Sequence, residues 1–221
     1  MWPFMIPGML MLVVLAACTQ VPEQAEEEVR LRGHAFRTEA GVVFEACEAD
    51  SSRPLRDVTR TERLEGLMSD LGQGGTDRIF VDILAKEQDE GLEIVSLEHA
   101  AHETAGCAED QDFLWKAGGN EPFWSFRVGL SETRVSRVAA EIEEWTFATP
   151  SPQVEGRLWR YSPGQLDGQE IVLELRRNPC RDSMAGHFFA YSAVLRIGEE
   201  RLTGCARAGA DMTDPGPDTQ P

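Results

Sequence analysis

The stretch TRTERLEGLMSDLG, residues 59–72, decides how the first half of this chain reads. Leu64, Leu67, Met68 and Leu71 fall at i, i+3, i+4 and i+7, the spacing of one apolar helix face. Thr59 with Glu62 matches a capping box, and Gly72 supplies a stop. On both sides the apolar pattern turns from helical to β-prone. Upstream, residues 30–36 and 41–47 read as strands around a Thr-Glu-Ala-Gly turn, with a short strand near 55–58. Downstream, DRIFVDILA (77–85) and GLEIVSLEHA (91–100) are β-prone runs joined by a charged turn containing Gly91. A helix between the third and fourth of five strands is the order of a small OB-like barrel.

The second half contains no convincing long helix. EPFWSFRVGL, EIEEWTFAT, GRLWRYS, QEIVLELRRN, HFFAYSAVLRIG and RLTGCAR follow at short spacing with Gly, Pro and Asp turns. That is the signature of an antiparallel barrel or sandwich. The acidic stretch 108–112 divides the halves. The expected fold class is therefore mainly β. An OB-like domain with one helix covers 30–107 and an antiparallel β domain covers 112–207. AGADMTDPGPDTQP, 208–221, reads as a disordered tail.

No charged side chain precedes Glu23. The apolar run 9–17 is far short of the roughly 20 residues needed to span a bilayer. It matches the apolar region of a secretory signal. Leu15-Ala16-Ala17-Cys18 resembles a bacterial lipobox, with small residues beside the cut and a thiol placed for acylation. The expectation is a signal peptide over 1–17, lipid attachment at Cys18 and an acidic tether over 18–29. Two or more acyl chains hold such a chain stably at a membrane. Thr19, rather than aspartate, after the acylated cysteine implies an outer-membrane position facing the periplasm.

Export places the body in an oxidising compartment. Of five cysteines, setting Cys18 aside leaves Cys47, Cys107, Cys180 and Cys205, an even set. Three connectivities are open. Pairing 47–107 and 180–205 is favoured because each pair brackets one expected domain. The formal charge of -17, from 38 acidic and 21 basic residues, argues against nucleic acid and toward a basic protein partner such as lysozyme.

Several residues invite a chemical reading. Glu121, beside Phe123 and Trp124, is a candidate general acid or ligand contact, against a turn carboxylate that caps backbone N–H groups. Cys180, Asp182, Met184 and His187 form a mixed ligand set, against a disulfide, an Asx turn and exposed side chains. His99 and His102 form a weak metal motif, with a solvated loop favoured. Trp115, Trp124, Trp145, Trp159, Phe188 and Tyr191 line a ligand cup or simply fill a core. No Gly-x-Ser-x-Gly, phosphate-binding glycine loop, Ser/His/Asp set or Cys-x-x-Cys occurs. A non-enzymatic binding module with no cofactor and no metal is expected.

GGNEPFW (118–124) and CRDSMAGHFFAYSAVLRIGEERLTGCAR (180–207) resemble the C-terminal domain of a family of bacterial envelope lipoproteins. Its members share a Gly-x-Glu-Pro-Phe-Trp start, a Cys-x-Asp-x-Met-Ser-like turn and a Gly-Cys-Ala ending. Ala185 stands here where a serine or small residue is usual. GHAFRTEAGVVFEAC (33–47) is similar to the OB-like domain of NlpE, a copper-response lipoprotein, whose Cys-x-x-Cys segment this chain lacks. The resemblance implies architecture and an envelope location, with envelope-stress or metal sensing as an alternative role. It implies no activity.

Overall fold

β1 (Glu28–Thr38) and β2 (Gly41–Ala46) form a hairpin, followed by β3 (Ser52–Asp57), α1 (Leu64–Leu71), β4 (Ile79–Gln88) and β5 (Gly91–His102). The computed structural model describes residues 27–49, 51–72, 77–102, 106–109, 111–138 and 141–209. Cys18, the expected signal peptide over 1–17 and residues 210–221 lie outside them. Pairing runs β1-β2-β3-β5-β4 and returns to β1, closing a five-stranded barrel in which only β3 and β5 are parallel. This is the expected OB-like unit.

The apolar face of α1 lies in the barrel core: Leu64, Leu67, Met68 and Leu71 pack with Phe44, Ile79 and Ile94. Its cap is not the expected box. Thr59 and Glu62 both precede the helix, and Arg63 occupies the cap position without a side-chain bond. Asp57, at the end of β3, does the work instead. Its carboxylate accepts from the backbone N–H of Leu64 at 3.0 Å and of Thr59 at 2.9 Å. A full negative charge at the positive helix end outcompetes a neutral hydroxyl. Gly72 does end α1, in extended rather than left-handed conformation. A Cβ there would sit 2.4 Å from Asp77 Cα, so close approach requires the glycine.

β4 explains why DRIFVDILA reads as a continuous apolar run. Ile79, Val81, Ile83 and Ala85 face the barrel core. Phe80 and Asp82 face outward, yet both are fully buried because the rest of the chain covers them. Gly106 closes over the Phe80 ring so tightly that a Cβ would meet it at 2.0 Å. Pairing of Glu28 with Lys86 and of Val29 with Ala85 makes 28–29 strand rather than tether.

The remaining elements are β6 (Trp115–Asn120), β7 (Phe123–Val128), β8 (Glu132–Val138), β9 (Ile142–Ala148), β10 (Gln153–Glu155), β11 (Leu158–Leu166), β12 (Gln169–Arg176), β13 (Cys180–Arg181), β14 (Phe188–Phe189), β15 (Tyr191–Ile197) and β16 (Glu200–Ala208). Nine of them form one antiparallel sheet, β10-β11-β12-β15-β16-β6-β7-β8-β9. The sheet curls until Phe147 of β9 lies over Gly164 of β11, where a Cβ would be 3.0 Å from the ring. Trp115, Trp159 and Tyr191 fill the interior, with ring centroids 4.8 to 5.8 Å apart.

β6 was hidden in the sequence, because Lys-Ala-Gly-Gly-Asn reads as a turn. Its glycines answer packing needs. The Trp124 indole crosses Gly119 and donates to Thr203 O of β16 at 3.2 Å, and a Cβ on Gly119 would lie 2.4 Å from that indole nitrogen. The Gly-x-Glu-Pro-Phe-Trp pattern thus encodes a buried tryptophan and the gap it needs. The tail expectation fails at its start. Ala208 belongs to β16, and Gly209 N–H bonds Leu114 O at 2.8 Å. Both are buried, as the arginine contact described below requires.

The disulfides are Cys47–Cys107 and Cys180–Cys205, as favoured. They close loops of 60 and 25 residues. On the chain-entropy model they contribute about 4 and about 3.5 kcal/mol. Non-reducing peptide mapping should return these two pairs. Paired Cys→Ser replacement at 47 and 107 should cost more in urea-unfolding stability than at 180 and 205.

Candidate functional site

The most heavily used region is the seam between barrel and curled sheet, built largely by residues 177–190. These fall in the stretch that the sequence assigns to the second unit, yet β14 pairs with β5 of the barrel, Phe188 opposite Ala100 and Phe189 opposite His99. One residue later Ala190 N–H bonds Glu98 O at 2.9 Å, and Tyr191 starts β15 in the other sheet. The chain therefore passes from one sheet to the other through Ala190.

Asp182 shapes the turn that precedes β14. One carboxylate oxygen accepts from Met184 N–H at 2.9 Å and Ala185 N–H at 2.7 Å, and the other from His187 N–H at 2.9 Å. Burial alone would push this carboxyl up; the backbone donors more than offset that and leave it below its ordinary range. Cys180 is bonded to Cys205 and so cannot serve as a thiolate ligand. Met184 is 79% exposed. Among the described residues no group of three or more His, Cys, Asp or Glu is placed to hold a metal.

His99 and His102 sit in β5, not in a solvated loop. His99 is buried, and its Nδ1 donates to Phe188 O at 2.7 Å. His102 Nδ1 donates to Leu71 O at 2.7 Å, while its backbone N–H points to His187 Nε2 at 3.4 Å. The alternation of GLEIVSLEHA does not reveal this because β5 is bulged at Val95 and Glu98. A bulge re-aims the side chains around it. Glu98 faces Arg177 across the seam, and the two pair at 2.8 Å. Two more arginines complete the junction. Arg30 pairs with buried Asp82 at 2.8 Å and donates to the carbonyls of Ala208 and Gly209. Arg207 pairs with Glu109 at 2.6 Å.

Two adjoining clefts open along this seam, of about 520 and about 260 Å³. They share Thr61, Arg63, Pro179 and Phe188. The larger is walled by the start of α1 and by β13; the smaller reaches Ser96, Arg157 and Arg177. Phe188 forms the common floor, with the Arg63 guanidinium 5.6 Å from its ring centre. Sequence reasoning named Phe188 as an aromatic lining residue but missed the arginines. The run RRNPCR (176–181), basic within an acidic chain, was the available signal.

The other candidates lie apart from these clefts. Glu121 is exposed at the β6–β7 turn, next to the cis Glu121–Pro122 peptide. Trp124 is core, as are Trp115, Trp159 and Tyr191, so the tryptophan cup is a filled interior. Asn120 Nδ2 reaches Asp182 at 3.4 Å, which brings the Glu121 turn and the 182–187 turn side by side. Comparison with protein-family models, curated proteins and solved structures gives no match, so the reading of the site rests on its own residues.

Burial pushes the His99 imidazole down to about 3, with Arg207 adding to the effect. The native protein keeps His99 neutral where the unfolded chain, near its ordinary 6.5, takes up a proton. Protons then favour unfolding between pH 6.5 and 3, by about 1.4 kcal/mol per pH unit for one group. Burial lowers His187 also, so it acts in the same direction. His99→Asn keeps a donor for Phe188 O and removes the titration. Urea unfolding at pH 6.5 and 5 should show a loss on acidification that is shallower in this variant by about one proton.

Proposed function

We propose that the protein is a lipid-anchored, non-enzymatic binding module of the bacterial envelope that takes its ligand in the seam clefts. The observation that carries this reading is the placement of the clefts. They lie where two sheets, a helix start and a disulfide-tied hairpin converge, so rigid elements shape the walls. The nearby imidazoles of His99 and His102 are engaged to backbone carbonyls, which favours binding over proton transfer. The lipobox-like Leu15-Ala16-Ala17-Cys18 and the two disulfides support an exported, membrane-tethered chain.

Two measurements test this. In a bacterial host fed a tagged palmitate analogue, the chain should take label and fractionate with membranes. Cys18→Ala should lose both, and globomycin should leave the signal uncut; unchanged labelling and migration would end the anchor reading. For binding, Gly66 offers a plug. It lines the larger cleft, and a Cβ there meets nothing within 4 Å. Gly66→Phe should leave the fold intact and abolish the thermal stabilisation given by a ligand of the larger cleft.

A second reading rests on the charge of -17, which steers toward basic proteins. Pull-down of lysozyme at low and at moderate salt checks it, and no capture at low salt removes it.

A further inference from the structure

We propose that the seam clefts bind an oxyanion, a carboxylate or phosphate monoester, carried on a small planar apolar body. This rests on the binding reading above and specifies its ligand. Four arginines line the two clefts, Arg63, Arg157, Arg177 and Arg181, against one carboxylate, Glu62. In a chain of net charge -17, such a local excess of positive charge runs against the composition.

The four arginines are not equivalent. Arg177 is held by Glu98 at 2.8 Å and also donates to Ser96 Oγ at 2.7 Å and to the Tyr191 hydroxyl at 2.6 Å. Arg181 pairs with Asp70 at 2.9 Å. These two are neutralised and shape the walls. Arg63 and Arg157 have no ion pair among the described residues. Their guanidinium charge is uncommitted, and a guanidinium fork matches carboxylate and phosphate geometry.

Arg63 is also oriented, because it lies over the Phe188 ring. An aromatic floor under an arginine suits a flat ligand that stacks while its anionic head meets the guanidinium. Phe188 borders both compartments, Leu67 lines the larger, and Leu97 and Ala190 line the smaller. The first turn of α1 contributes Gly66 to the wall of the larger one, and Asp57 already answers the positive end of that helix, so the arginines alone supply the charge. Glu62 lines the larger compartment, and its carboxylate repels a second anionic group there. The chain's overall negative charge repels anions at long range. That repulsion is screened beyond about 8 Å at physiological ionic strength, where local contacts decide.

The experiment is thermal shift and calorimetry on the whole chain in detergent at physiological salt. The probes are phenyl phosphate, benzoate, benzyl alcohol and benzylamine. Phenyl phosphate or benzoate should bind saturably, and which is tighter sorts the two headgroups. Arg63→Gln and Arg157→Gln should each weaken that binding about tenfold, with Arg63→Lys intermediate. Arg201→Gln, on the exposed face of β16, should leave it unchanged. Circular dichroism and the urea midpoint should match wild type in every variant. Equal binding of benzyl alcohol or benzylamine, blocked by Gly66→Phe, would overturn the oxyanion assignment while keeping the clefts as a binding site. Undiminished affinity in the Arg63 and Arg157 variants would overturn it equally. Failure of all four probes would overturn both the assignment and the binding role of the clefts.

Discussion

The pairing of β14 with the barrel edge is the constraint on which the rest of the structure depends. An unpaired edge of β5 would expose backbone donors and acceptors beside Glu98 and His99. Phe188 and Phe189 cover it, Ala190 continues the bonding, and Tyr191 enters the second sheet. Two hydrophobic cores are thereby joined by main-chain hydrogen bonds, not by side-chain contact alone. The Cys180–Cys205 bond anchors the hairpin to β16, and Asp182 sets the turn between its strands.

The seam carries most of the buried polar groups of the described residues. Asp82, Glu98, His99 and Arg207 are all below 7% exposed and all lie there. Each is tolerable because a partner comes with it: Arg30 for Asp82, Arg177 for Glu98, Phe188 O for His99, Glu109 for Arg207. A buried charge whose partner is removed costs about 3–5 kcal/mol, whereas a completed pair is close to neutral. These pairs therefore favour one docking of the two sheets over its alternatives. A seam assembled this way leaves grooves where its elements do not quite meet. The clefts over Phe188 are of that kind, and their arginines follow from a junction that uses arginine throughout.

Much of the fold was legible in local patterns. The helix at 64–71, the strands around it and the alternation in EPFWSFRVGL follow from periods of 3.6 and 2. The disulfide pairing was favoured from cysteine parity and because each pair brackets one expected domain, although Cys180 lies in the barrel sheet and Cys205 in the other. Where the reading failed, a long-range partner had overridden a local rule. Asp57 replaced the Thr59 box because it reaches Leu64 from another element. β6 was invisible because Gly118 and Gly119 serve the indole of Trp124 and the backbone of β16. His99 looked solvated because nothing local announces that β14 will cover it.

By itself the sequence determined the mainly β class, the OB-like order, the cysteine bookkeeping and a lipobox-like start. These depend on residue type and spacing along the chain. Only the tertiary structure decided that residues 180–189 belong to the barrel edge, that β5 bulges to aim Glu98 at Arg177, and that arginines from three separate segments share one groove. Such juxtapositions are set by sheet register and close approach between residues far apart in sequence, and no local periodicity encodes them.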